Sequence, residues 1–104
     1  METKGFEKAS FPGGEDKLYD FIADKKKYHQ DAVNAGVEGS VKLQFLVNTS
    51  GVIKNIKVLQ PLYPSLDKEA LRIMHLMPKW IPAQYKGRAV KSKVKLDIDF
   101  YFLK

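Results

Sequence analysis

Asp97 and Asp99 stand two residues apart, a spacing that sets two carboxylates on one face of a strand, where they could divide acid and base roles between them. The same alternation carries Lys91, Lys93 and Lys95 just before them, so a solvated strand face reads better than a catalytic pair. The other candidates for chemistry are few. His29 and His75 have no partner at a zinc-ligand spacing, and no cysteine supplies a thiolate. Ser40, Ser50, Ser65 and Ser92 fall at turn, cap or strand positions, and no nucleophile motif surrounds any of them. This inventory argues against an enzyme, a metal site and a cofactor. The lysine alternation, with Tyr101 further along, admits a single-stranded nucleic-acid interface of the basic and aromatic kind. Alternating lysines more simply keep an exposed strand soluble and guard a sheet edge, and that reading is preferred.

Hydrophobic spacing defines the elements that position these residues. Residues 1–10 are polar and aperiodic and read as a flexible leader, so the domain is expected to span 11–104. After the Phe11-Pro12-Gly13-Gly14 turn, Leu18, Phe21 and Ile22 fall at helical intervals between acidic Glu15 and Asp16 and basic Lys25 to Lys27, which predicts a helix from Glu15 to Lys27. Tyr28 to Ala35 can hold a further short turn of helix, with Gly36 as its C-cap. Val41, Leu43, Phe45 and Val47 alternate as one buried strand face, and Asn48-Thr49-Ser50-Gly51 turns the chain into a second strand from about Val52 to Gln60. Pro61 stops that strand, and Ser65 stands as N-cap of a helix whose apolar positions are Leu66, Ala70, Ile73, Met74 and Met77. Trp80, in a proline-rich segment, reads as a core plug. A final strand alternates from Val90 to Phe102, with Lys91, Lys93, Lys95, Asp97, Asp99 and Tyr101 on its outer side.

The expected fold is α+β, in the order α-β-β-α-β, with two helices packed on one face of a three-stranded antiparallel sheet. A last strand that returns beside the first strand of the hairpin gives the order 2-1-3 and becomes an edge, and an open edge accepts a partner strand. It could also pair with its own copy, giving a weak homodimer.

Length and charge agree with one small domain. A chain of 104 residues with 44% hydrophobic residues supports a single modest core. Eighteen basic against twelve acidic residues give a net charge of +6. That excess suits nucleic acid, an anionic envelope or an acidic peptide without choosing among them. No apolar run in the sequence is long enough to span a bilayer.

In order and spacing, several motifs resemble the TonB C-terminal domain family in the form common among Bacteroidetes-type energy transducers. They are Phe11-Pro12-Gly13-Gly14, Ala35 to Val41 leading into Phe45-Leu46-Val47, Gly51-Val52-Ile53, Leu66 to Arg72, Met77 to Pro82, and Gly87 to Val90. The resemblance covers Phe11 to about Leu103. It implies a periplasmic domain, anchored to the inner membrane in the full-length protein and pulled by inner-membrane motor proteins through a preceding region. Its partner would be a TonB-dependent outer-membrane receptor, whose TonB box adds as a strand beside Lys91 to Phe102. Tyr28 and His29 would lie near the receptor contact, at the place of the family's Tyr-Pro pair. His29, Ala89 and Asp97 replace residues that are usually proline, and Ser50 replaces the usual Asp of the hairpin. Without a proline at 97 the last strand keeps a backbone donor and can pair more continuously. These departures leave open an envelope adaptor or a sensor-fused relative with the same domain.

Overall fold

The computed structural model describes residues 5–101; Phe102 and the first four residues of the expected leader lie outside the described residues. The alternation of Val41, Leu43, Phe45 and Val47 builds β2 (Gly39–Val47), all four side chains facing the core. β2 pairs on one side with β3 (Ile53–Gln60) and on the other with β6 (Ser92–Phe100), both antiparallel. The order β3-β2-β6 puts the last strand at an edge. Its register is unbroken from Gly39 opposite Phe100 to Val47 opposite Ser92. β3, at the other edge, is irregular: two register shifts insert extra residues, and Asn55 takes a left-handed φ of 54°.

Three helices rather than two accompany this sheet: α1 (Glu15–Lys25), α2 (Gln30–Asn34) and α3 (Pro64–His75). α3 presents Leu66, Ala70, Ile73 and Met74 to Phe45, Phe100 and their neighbours. Its first residue is Pro64, with Tyr63 as N-cap, so Ser65 is not the cap. The Asp67 carboxylate reaches back instead, accepting the N–H groups of Leu62 (2.8 Å) and Tyr63 (3.4 Å). Ser65 donates to Asp31 at 2.8 Å and so ties α3 to α2. α3 ends at His75, short of Met77: the Leu76 and Met77 N–H groups bond three residues back, and Pro78 forbids continuation.

A second three-stranded sheet, β1-β4-β5, was not expected from the sequence. Lys86 and Gly87, both at positive φ, make a tight hairpin between β4 (Ala83–Tyr85) and β5 (Arg88–Val90). β1 (Phe6–Glu7), inside the expected leader, pairs antiparallel with β4, and Ser10 exchanges main-chain hydrogen bonds with Ile81 at 3.0 and 2.8 Å. The predicted continuous strand from Val90 is therefore split at Lys91: β5 folds back onto β4, and β6 joins the large sheet.

Trp80 joins the two parts. Buried to 5% exposure, its ring meets Phe45 edge-on at 5.3 Å and Phe11 at 5.9 Å. Its main-chain N–H donates to the Gly51 carbonyl at 2.8 Å. This approach is so close that a Cβ on Gly51, whose φ is +85°, would stand 2.1 Å from the Trp80 carbonyl oxygen.

Among the described residues one charge is buried in the core. The Glu69 side chain, 1% exposed, receives a fork of two bonds from Arg72 (2.8 and 2.7 Å) and the Lys27 N–H at 2.7 Å, with His29 Nε2 at 3.4 Å. Arg72 also donates to the Lys25 carbonyl at 2.7 Å. The α1–α2 connection is thus fixed to α3. Because Lys27 gives its N–H to Glu69, the helix stops at Lys25 and not at Lys27. Burial acting on Glu69 would raise its pKa, but the hydrogen bonds from Arg72, Lys27 and His29 and the Arg72 charge outweigh it and lower the pKa.

Gly51→Ala should cost about 3 kcal/mol in denaturant melts, near the upper end for single substitutions, whereas Gly87→Ala, at φ +81° with open space around it, should cost only about 1 kcal/mol of left-handed strain. Glu69→Gln should cost about 2 kcal/mol at neutral pH. The Glu69 pKa is lower folded than unfolded, so its contribution is complete above the ordinary glutamate pKa of about 4.3 and is lost as pH falls through the depressed folded value. Urea midpoints of both proteins should therefore converge in acid; a gap independent of pH would show that the carboxylate charge is not its source.

Candidate partner-binding edge

Among the described residues β6 has β2 on one side only, and its outer side faces a groove of about 740 Å³. The groove runs between β6, α1 and the segment from Phe6 to Phe11, with Trp80 at its base. Apolar groups from Phe11, Leu18, Val94 and Leu96 line its interior, and Phe6 and Tyr19 stand exposed at its rim. The Tyr19 hydroxyl donates to Glu15 at 3.3 Å, and the Glu15 carboxylate beside it raises its pKa.

Of the residues expected at a binding site, Lys93, Lys95, Asp97 and Asp99 lie together on β6, exposed on the sheet face away from the helices. Lys91 is exposed too but sits at the joint between the two sheets, outside β6, and Tyr101, 57% exposed, lies just past its end. Tyr28 and His29 are separate from this row. The Tyr28 ring packs edge-on against Phe100 at 5.8 Å, and its hydroxyl donates to the Val37 carbonyl. Burial is the main cause of its raised pKa, with the Glu38 charge adding to it. His29, half exposed, faces Glu69.

Lys26, in the basic end expected of the first helix, donates from its Nζ to the main-chain carbonyl of Asp99 at 2.5 Å and lies 5.5 Å from the centre of the Phe100 ring. It closes the Phe100 end of the open edge. Since Lys26 reaches the Asp99 carbonyl from outside the sheet, the two-residue alternation of a strand turns the main-chain groups of Asp97, Lys95 and Lys93 to the same side. The groove residues on α1 and the N-terminal segment escaped sequence reasoning because nothing local links them to β6; the pairing of Ser10 with Ile81 brings them there.

Among the described residues no group of His, Cys, Asp and Glu is arranged to hold a metal ion, and no helix is long and apolar enough to cross a membrane. The arrangement offers main-chain hydrogen bonds along a groove lined by both apolar and charged side chains, a geometry suited to an extended peptide.

Comparison with known proteins agrees with this architecture. No curated protein matched the sequence. Among solved structures, one solution structure of the Helicobacter pylori TonB C-terminal domain is similar with a TM-score of 0.62 and 24% identity, over 89% of this chain and 88% of that one. A second, of a shorter piece of that domain, has a TM-score of 0.59 and 27% identity, over 82% of this chain and 89% of that one. The profile of the Gram-negative bacterial TonB protein C-terminal family matches residues 24–102, and the chain belongs to that family.

Proposed function

We propose that this domain is the periplasmic, receptor-gripping end of a TonB-type energy transducer, binding the TonB box of an outer-membrane receptor as an added strand beside β6. The observation that carries this reading is the open, regular edge of β6 above a groove whose apolar groups are flanked by charged side chains. An added strand would take main-chain bonds from Lys93, Lys95 and Asp97 and place every second side chain in the groove. Family membership supports the rest: an inner-membrane anchor and motor proteins acting through a preceding region, so that proton motive force pulls on the gripped receptor. The domain does no chemistry in this reading.

A nucleic-acid role is less well supported. On the face of the sheet, Lys93 and Lys95 adjoin Leu46 and Gln44, which give no ring for a base to stack on.

Titration of the isotope-labelled protein with peptides from receptor N-terminal segments tests the proposal by NMR. Shifts should concentrate on residues 92–100 and on the groove side of α1. Lys95→Pro removes an outward N–H and should weaken binding at least tenfold while leaving the melting midpoint nearly unchanged, whereas Leu96→Pro, whose N–H faces β2, should unfold the sheet. Equal loss of binding and stability in Lys95→Pro would count against an edge-strand site.

A further inference from the structure

The exposed face of β6 divides its charges unequally. At one end Asp97 and Asp99 are already engaged by the neighbouring strand: Lys42 Nζ lies 3.7 Å from Asp97, and the Ser40 hydroxyl donates to Asp99 at 2.5 Å. At the other end Lys93 and Lys95 stand opposite Leu46 and Gln44. Beyond these, on β3, Leu46 is paired with Lys54 and Gln44 with Lys57. The sheet thus supplies each aspartate with a partner; across the strands the two lysines meet neutral side chains and further lysines, and the carboxylate that follows Lys95 on its own strand, Asp97, is already shared with Lys42. On the outer side Glu15 of α1 lines the same groove but its carboxylate accepts from the Tyr19 hydroxyl, so a further anionic neighbour for the two lysines is to be gained from whatever strand is set beside β6.

Resting on the strand-addition reading above, we propose that the bound segment reads acidic, apolar, acidic. Its two carboxylates lie opposite Lys93 and Lys95 on the solvent face, and the residue between them turns into the groove over Val94. The alternation of a strand forces this pattern: positions beside Lys93 and Lys95 share their face, and the position beside Val94 points to the other. Val94 is half-buried and lines the groove together with Leu18 and Leu96, so an apolar side chain there leaves water. Opposite Asp97 the segment is neutral or basic, because a third carboxylate would meet an aspartate already paired with Lys42. The lysine pair thereby sets the register of the added strand, which main-chain hydrogen bonds alone leave free to slip by two residues.

Three ten-residue synthetic peptides, identical except for a central Glu-Val-Glu, Gln-Val-Gln or Lys-Val-Lys, test this against the labelled protein by NMR at low and high salt. The Glu-Val-Glu peptide should bind about fivefold more tightly than the Gln-Val-Gln peptide at low salt, as two cross-strand ion pairs provide, and lose most of that advantage at high salt. The double variant Lys93→Glu, Lys95→Glu should reverse the order in favour of Lys-Val-Lys, with an unchanged thermal midpoint as proof of fold. Equal binding of the Glu and Gln peptides, with shifts still on β6, overturns this inference and leaves strand addition standing. Acid-dependent shifts spread equally over Lys54 and Lys57 also overturn it, because that is general charge attraction. Absence of β6 shifts with every peptide, receptor-derived ones included, removes the strand-addition reading itself.

Discussion

A buried carboxylate sets the arrangement of this domain. Taking the Glu69 charge out of water costs several kcal/mol unless its oxygens are fully engaged, and the groups that engage it come from Arg72, Lys27 and His29. That requirement fixes where the chain after α1 must pass. The consecutive lysines there take separate roles: the Lys25 carbonyl accepts from Arg72, the Lys26 ammonium reaches the Asp99 carbonyl, and the Lys27 N–H bonds Glu69. The wall of the groove and the closed end of the β6 edge are thereby both referred to one point inside α3.

The second connection runs through Trp80. Its ring packs between Phe11 and Phe45, and its main chain presses on Gly51. The β2–β3 hairpin, the N-terminal segment and the small sheet are therefore positioned by one side chain and one glycine. The Trp80 indole N–H is buried and has no hydrogen-bond partner among the described residues, a cost that the packing of its ring must exceed. Between these two connections lies the groove, bounded by elements distant in sequence from β6.

Much of this was legible in the sequence because it is local. Alternation in Val41 to Val47 and in Val94 to Phe100 marked the two longest strands, and helical spacing in Leu66 to Met74 marked α3. The sheet order followed from a hairpin, a crossover helix and a returning strand. What was missed depends on distant partners. Phe6 and Glu7 form a strand only because Tyr85 and Gln84 lie opposite. The break at Lys91 reflects a hairpin at Lys86-Gly87, where the glycine was visible but the left-handed lysine before it was not. Ser65 looked like a cap until Pro64 took the first helical position and Asp67 reached back to the free N–H groups. At the edge itself, the strand and its lysines could be read directly. The opposing groove wall could not.

The irregular β3 edge bears on how many chains can assemble. With its two inserted residues and the left-handed Asn55, that edge offers no straight row of donors and acceptors to an incoming strand. The sheet consequently has one pairing edge. A strand placed beside β6 caps it, and even the same strand from a second molecule would leave only two β3 edges outermost. Growth of the large sheet by edge pairing therefore stops at one or two chains, so the exposed β6 edge does not by itself open a route to fibres.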